Sequence, residues 1–571
     1  MTIPDDSPAE TQLSYAQGLA TAPLLYETIG NAFDRIAAKF PNRTALISRH
    51  QKVRWTYRKF QAEADRIAAG FVGIGLEPGD RIGIWSPNCA EWAITQFATA
   101  KAGLILVNIN PAYRPQELKY CLNKVGCKAL VTAARFKTSD YIAMLGDLAE
   151  ELAASEPGQL EAKAFPDLKS VIRIDDVEAT GFYNFWKLPE LGGAAADARI
   201  AQLADELQPD DPINIQFTSG TTGTPKGATL THFNILNNAY FTGVALGMSE
   251  TDVMVCPLPL YHCAGMVLCN LTCATLGAAV VYPDEAFEPG SVLQAIEDEG
   301  ATVIGGVPTM YLGELDHPDF ASFDVSTLRS GFIGGAPCPV ELMHRIVKDL
   351  HVPDVAIVYG MTETSPVSFQ TADDDTLENR VGTVGRVHPH VEAKVIDSNG
   401  RTLARGEQGE ILVRGYSVMH GYWDDPGKTA DAINDAGWMH TGDLGVMDDA
   451  SYLKITGREK DMLIRGGENI YPREIEEHLY THPAISEVQV FGIPDDRMGE
   501  EVCAWIRVHE GQELNDEGVR EFCTGILAHY KIPKLLRYVE DFPMTVTGKI
   551  QKFEMRKAMM KELGLREQET A

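Results

Sequence analysis

Residues Thr218-Ser219-Gly220-Thr221-Thr222-Gly223-Thr224-Pro225-Lys226-Gly227 put five hydroxyl side chains, three glycines and a lysine into ten positions. Glycines let a backbone approach a polyphosphate closely, hydroxyls add donors, and Lys226 adds a point charge. The Walker loop ends in Gly-Lys-Ser/Thr, whereas this one ends in Pro-Lys-Gly, so the cradle is of another kind. A plain Ser/Thr/Gly turn is the alternative on composition alone. Glu363, in Tyr359-Gly360-Met361-Thr362-Glu363, follows the apolar run 355–358. Mg²⁺ takes one or two carboxylates and lets phosphates and water complete its shell, which suits such a residue. A lone Glu after a strand is otherwise a solvated loop residue. Asp443, in Thr441-Gly442-Asp443, can accept hydrogen bonds from both hydroxyls of a ribose.

In this order the segments resemble the signatures of the AMP-forming acyl- and aryl-CoA synthetases, luciferases and peptide-synthetase adenylation domains. The likeness covers nearly the whole chain. It implies that Thr218, Ser219, Gly220, Thr221, Thr222, Gly223, Thr224 and Lys226 hold the ATP phosphates. Gly334-Gly335-Ala336-Pro337 resembles the loop flanking the adenine, which assigns Gly335, Ala336 and Pro337 to the nucleotide. Tyr359, Gly360 and Met361 belong to the same site, Thr362 takes the α-phosphate, and Glu363 takes the magnesium ion. Asp443 and Arg458 take the ribose side, and Lys460 holds the hinge position. Arg465-Gly466-Gly467-Glu468-Asn469-Ile470-Tyr471-Pro472 resembles the loop that completes the pantetheine tunnel, through Gly466 and Gly467. Pro543-Met544-Thr545-Val546-Thr547-Gly548-Lys549-Ile550 resembles the loop whose lysine, here Lys549, catalyses adenylation. Lys552 stands where the family often has Arg. Pro259-Leu260-Tyr261-His262 resembles the segment whose aromatic–His pair gates the tunnel, which makes His262 a further catalytic candidate.

The resemblance implies an ATP-dependent acid–thiol ligase. It forms an acyl-adenylate and diphosphate, then transfers the acyl group to coenzyme A with release of AMP. Tyr261 is followed by His262-Cys263-Ala264, so no carboxylate is at hand to hold a substrate ammonium, and amino-acid activation is disfavoured. A non-catalytic AMP-binding module would have no use for Lys549, Glu363 and Lys460, all of which are present. Pro-Leu-Tyr-His-Cys together with Asp-Asp-Arg-Met-Gly-Glu at 495–500 looks most like the medium-chain fatty-acyl-CoA synthetases. A short or sulfur-containing acid of the 3-methylthiopropionate type is the alternative substrate, and an aromatic acid comes third.

The elements that must position these residues are legible as a pattern. A chain of 571 residues exceeds one hydrophobic core. Short apolar runs alternate with helical patterns up to about residue 455, which predicts an α/β fold. We expect a large amino-terminal domain, 1–457, of packed sheets flanked by helices. A small mobile α+β domain, 458–571, carries Lys549. Residues 145–164 read as a surface hairpin of helices broken at Pro157-Gly158, and 264–282 as a buried helix running into a strand. Ten scattered cysteines without a Cys-x-x-Cys pair suggest free thiols. A net charge of −30 excludes a nucleic-acid surface. It also requires that positive charge be concentrated where polyanions bind. No membrane span is expected, and a cytoplasmic location is. The oligomeric state is open, a homodimer being allowed.

Overall fold

The computed structural model describes residues 12–19, 22–218, 225–336, 338–458, 461–465, 468–495, 497–545 and 550–565. Two large sheets face one another. The first has eight strands in the order Phe182–Asn184, Ser170–Arg173, Ala129–Thr132, Arg81–Trp85, Ile105–Asn108, Pro212–Thr218, Lys226–Thr231 and Gly421–Tyr422. Its first six strands run parallel and its last two turn antiparallel. The second has nine strands with a parallel centre, from Thr44–Ser48 through Ala279–Tyr282, Val253–Val255, Val303–Gly306 and Ser330–Gly334 to Asp354–Gly360.

One hydrophobic core fills the space between these sheets. The helix Ala90–Ala102 lies in it with every residue buried, as its nearly all-round small and apolar sequence requires. A left-handed Gly103 ends it, a conformation that a side chain would strain. The outer faces of both sheets carry their own helices over separate cores. The result is a sandwich of alternating helical and sheet layers, the α/β class expected from the alternation.

Two further sheets depart from that alternation. Tyr15–Gln17, Val391–Ile396, Gln408–Gly415, Met439–Met447 and Leu453–Arg458 form an antiparallel sheet. The fourth sheet is built from Leu463–Arg465, Glu468–Ile470, Ile485–Asp495, Gly499–Val508 and Leu535–Tyr538. The cores on its two faces draw only on residues from 463 onward, among the described residues.

The segment 145–164 differs from expectation. Helix Tyr141–Leu148 passes into a short 3-10 turn, Glu150–Ala154, and the helical pattern ends there. Leu145, Leu152, Leu160 and Ala162 are buried against the first sheet, so the apolar face anchors it. Among the described residues no helix is long and apolar enough to cross a membrane. The ten cysteines are free, and nine of them are buried.

Glu314, on the helix Pro308–Leu315, is 1% exposed, and its Oε2 has no hydrogen-bond partner among the described residues. Burial pushes its carboxyl from 4.5 up to about 8. Between those values the native protein keeps a proton that the unfolded chain has released, so stability falls as pH rises through that window. Glu314→Gln is expected to flatten this dependence. Thermal melts should show the variant gaining on the parent protein between about pH 5 and pH 8, whereas a gap independent of pH would refute the assignment.

Candidate active site

The strands Pro212–Thr218 and Lys226–Thr231 form an antiparallel pair in which Thr218 faces Lys226 across the ladder. Both residues therefore sit at the mouth of the hairpin expected to hold the phosphates. Ser219, Gly220, Thr221, Thr222, Gly223 and Thr224, which complete it, lie outside the described residues. Thr218 Oγ1 donates to Glu363 Oε1 at 3.0 Å, and the Tyr422 hydroxyl donates to the same oxygen at 2.9 Å. Lys226 Nζ lies 4.4 Å from the centre of the Tyr422 ring and donates to its hydroxyl at 3.4 Å. A lysine, two hydroxyls and one carboxylate thus meet at one point. Burial, and next the Glu363 carboxylate, push the Tyr422 phenol well up, so it stays a donor.

Glu363 is aimed by a sharp exit from the strand Asp354–Gly360. A Cβ on Gly360 would lie 1.8 Å from the Pro366 carbonyl oxygen, so the chain can pass there only as glycine. A 3-10 turn, Thr362–Thr364, follows. Met419 N–H donates to the Glu363 carbonyl at 2.9 Å, and Ser365 Oγ donates to the Ser417 carbonyl at 2.7 Å. These two bonds fasten the turn to the segment that leads into Tyr422. Thr362 is buried, with its Oγ1 3.6 Å from Cys263 Sγ beside His262.

The residues suit a magnesium ion. Glu363 Oε1 is committed to two hydroxyls, whereas no hydrogen bond from a described residue falls on Oε2. Among the described residues no group of three His, Cys, Asp or Glu could form an all-protein metal cage. A single carboxylate leaving room for phosphate and water oxygens is the arrangement Mg²⁺ favours.

Asp443 and Arg458, expected to take the ribose, are cross-strand partners on Met439–Met447 and Leu453–Arg458. Arg458 Nε donates to Asp443 Oδ1 at 2.9 Å, and the Tyr359 hydroxyl donates to Oδ2 at 2.7 Å. Asp443 is therefore held from both sides, with lone pairs remaining for a vicinal diol. Tyr359 sits one residue past Val358, and Val358 pairs with Gly334 on the neighbouring strand. Gly335, at φ +79°, and Ala336 thus lie beside Tyr359 at the carboxyl ends of parallel strands. Such ends are where open α/β sheets bind ligands. Pro337 lies outside the described residues.

The segment expected to gate the tunnel, Tyr261–His262, is half-buried. The Ala264 N–H donates to His262 Nδ1 at 3.2 Å, and the rings of Tyr261 and His262 meet edge to face, 6.4 Å apart. Burial raises the Tyr261 phenol well above its usual value. The wall expected for the acyl group is buried and tight: a Cβ on Gly305 would lie 2.4 Å from the Phe332 ring, and the Tyr311 hydroxyl donates to the Phe332 carbonyl at 2.9 Å.

Lys460, Gly466, Gly467 and Lys549 lie outside the described residues, but their flanks do not. Met544 pairs with Ile550, and Gln551 N–H donates to the Pro543 carbonyl at 2.8 Å, which closes the base of the Lys549 loop. Lys552 Nζ pairs with Glu476 at 2.6 Å, and the same Glu476 oxygen accepts the Val490 N–H. Lys552 is thus tied into its own sheet. Tyr422 is the site residue that sequence motifs missed. It stands in a two-residue strand within no motif, and its contacts with Glu363 and Lys226 identify it.

Residues 33–423 match the model of the AMP-binding enzyme, and 474–549 match that of the AMP-binding enzyme C-terminal domain. The chain belongs to the AMP-binding enzyme family. It is 45% identical over 555 residues to the medium-chain acyl-CoA ligase ACSF2, mitochondrial, of Danio rerio, covering 97% of this chain and 91% of that protein. It is 42% identical to the putative acyl-CoA synthetase YngI of Bacillus subtilis (strain 168), covering 95% and 99%. The anthranilate CoA ligase AuaEII, solved in complex with anthranoyl-AMP, superposes with a TM-score of 0.82 at 26% identity, covering 95% and 99%. The cytoplasmic location expected from the sequence is overturned by the relative named mitochondrial. Free buried thiols fit a reducing compartment but do not single out the cytosol.

Proposed function

We propose that the protein is an AMP-forming acyl-CoA ligase that takes a medium-chain fatty acid. The observation that carries this reading is the meeting of Thr218, Lys226 and Tyr422 around Glu363, beside the Tyr359–Asp443–Arg458 cluster. The first set suits a polyphosphate with its metal, the second a ribose. The names of the ACSF2 and YngI relatives support acyl transfer to coenzyme A, and that of ACSF2 supports the chain length.

In the first half-reaction a carboxylate oxygen attacks the α-phosphorus of ATP, and the bond to the departing diphosphate breaks. Lys226 and Lys549 offset the negative charge that accumulates, and Thr362 donates to the α-phosphate. Asp443 orients the ribose with Arg458 behind it. When bound at Glu363, a magnesium ion supplies charge neutralisation at the phosphates. In the second half-reaction the coenzyme A sulfur attacks the acyl carbon and loses its proton, and the C–O bond to AMP breaks. The chain divides at 457/458, Lys460 serves as the pivot, and rotation exchanges Lys549 for the Gly466-Gly467 loop. Tyr261 and His262 border the tunnel.

Carboxylate-dependent ATP–pyrophosphate exchange across straight-chain acids, benzoate and 3-methylthiopropionate tests this. The expected optimum falls between hexanoate and decanoate. An optimum on benzoate or methylthiopropionate would move the substrate assignment, and silence across the panel would favour a non-catalytic nucleotide-binding protein.

A further inference from the structure

The strands Ile105–Asn108 and Pro212–Thr218 run parallel with Gln216 opposite Asn108. Asn214 stands two residues earlier, so all three amide side chains emerge on the same face. That face points into the core between the two large sheets, and none of the three is more than 3% exposed. Amides survive such burial when their hydrogen bonds are made. Here they are made in series. Gln216 Nε2 donates to Asn214 Oδ1 at 2.9 Å, and Asn214 Nδ2 donates to Asn108 Oδ1 at 2.9 Å. Asn108 Nδ2 then donates to the backbone carbonyl of Tyr261 at 2.9 Å, with Met266 Sδ 3.4 Å away. The series starts two residues before Thr218 and ends on the gate.

The chain just beyond the gate is unusual. Ala264–Leu271 is a π-helix, a form that rarely extends past a single turn and that concentrates at functional sites. Side-chain amides hold it in place. Gln96 Nε2 donates to the Met266 carbonyl at 3.4 Å, Asn270 Nδ2 donates to Gln96 Oε1, and the Tyr282 hydroxyl donates to Asn270 Oδ1 at 2.8 Å. Upstream, Asn88 Oδ1 accepts from Leu260 N–H at 2.8 Å, and Asn88 Nδ2 donates to the Leu258 carbonyl at 3.0 Å. The Tyr261–His262 segment is therefore placed in large part by two buried amides, Asn88 from the loop after Arg81–Trp85 and Asn108 from the strand Ile105–Asn108. Asn108 alone among those described joins it to the strand that feeds the phosphate loop.

We propose that Asn108 is a positioning residue for the thioester half-reaction, fixing the Tyr261–His262 gate relative to the bound adenylate. The inference rests on the acyl-CoA ligase reading. The contacts of Thr218, Lys226 and Tyr422 with Glu363 do not pass through Asn108, so adenylation keeps its own framework. Asn108→Ala leaves the Tyr261 carbonyl without its donor and frees the gate to shift.

The test measures both half-reactions on the full-length protein. For Asn108→Ala, single-turnover thioester formation from supplied acyl-AMP is expected to slow about tenfold, the effect of one lost buried hydrogen bond. The KM for coenzyme A should rise with it. ATP–pyrophosphate exchange should stay within about twofold, since its framework is intact. Equal losses in both half-reactions, or no change in either, would overturn the proposal. Should Asn108→Ala fail to fold, Asn214→Ser, which removes the amide bonds of Asn214 to Asn108 Oδ1, the Leu106 carbonyl and Gln216 while leaving Asn108 on the Tyr261 carbonyl, must show the same imbalance more weakly, and an even effect there refutes it. The unmodified enzyme run alongside separates the two readings. If it makes acyl-AMP but no thioester, the ligase assignment fails; if it completes both steps and the variants show no imbalance, only the role of Asn108 fails.

Discussion

Lys549→Ala is expected to lower carboxylate-dependent ATP–pyrophosphate exchange about 10²–10³-fold while leaving thioester formation from supplied acyl-AMP within about threefold. The asymmetry follows from charge. In adenylation a carboxylate must approach a polyanionic phosphate chain, and a lysine bridging the two offsets repulsion that grows toward the transition state. In thioester formation the acyl group has already lost its charge to the mixed anhydride, so a bridging cation has little to do. The segment that carries Lys549 is closed at its base, with Met544 against Ile550 and Gln551 bonded to the Pro543 carbonyl. Both activities can be followed on one preparation, by exchange of labelled pyrophosphate and by thiol consumption. If the two fell together in a folded variant, one fixed arrangement would serve both steps, and the proposed rotation about Lys460 would be wrong.

Glu363→Gln should be nearly as damaging to adenylation and harmless to the fold. The amide keeps the shape and leaves an oxygen for the Thr218 and Tyr422 hydroxyls, so the bonds at 3.0 and 2.9 Å survive. What is lost is the charge that would hold the metal. Exchange activity is expected to drop about 10²-fold or more, with the magnesium concentration for half-maximal rate shifted upward. Removing a buried carboxylate relieves desolvation, so the thermal midpoint should hold or rise. A variant with parental exchange activity and an unchanged magnesium titration would remove Glu363 from the metal site. A variant that melted early would assign it to structure instead.

How much of this was legible in the sequence depended on whether neighbours in space were neighbours in the chain. Thr218 and Lys226 bracket one contiguous loop, so their partnership could be read directly. The turn through Gly360 to Glu363 could be read for the same reason. Tyr422 could not, because it reaches Glu363 from a two-residue strand that is too short for any periodicity. Asn108 was hidden differently: it ends an apolar strand, and nothing local says that its amide meets the backbone at Tyr261. The antiparallel sheet of 391–458 was absorbed into the strand–helix alternation, since its strands carry the same apolar runs as parallel ones. The final helix, Lys552–Leu563, escaped because its buried side is made of Met555, Met559 and Met560 amid charges. The buried acid Glu314 gave no signal at all, because its surroundings come from other elements.

The short strand Tyr15–Gln17 pairs antiparallel with Val391–Ile396, matching Tyr15 to Lys394, and Ser14 Oγ donates to the Ala404 carbonyl. During synthesis the strand Tyr15–Gln17 emerges long before its partner, which lies 379 residues later. At about 5–20 residues per second, the ribosome needs roughly 20–75 seconds to supply it. For that interval Ser14, Ala16 and the backbone hydrogen-bonding groups of this strand, which the folded sheet buries or pairs, lack their partners, and the far edge of the 391–458 sheet has yet to be made. The nascent chain is thus obliged to keep the strand Tyr15–Gln17 in reserve. The window in which a holdase or a neighbouring chain could capture it closes only when Val391–Ile396 has been made and can pair with it.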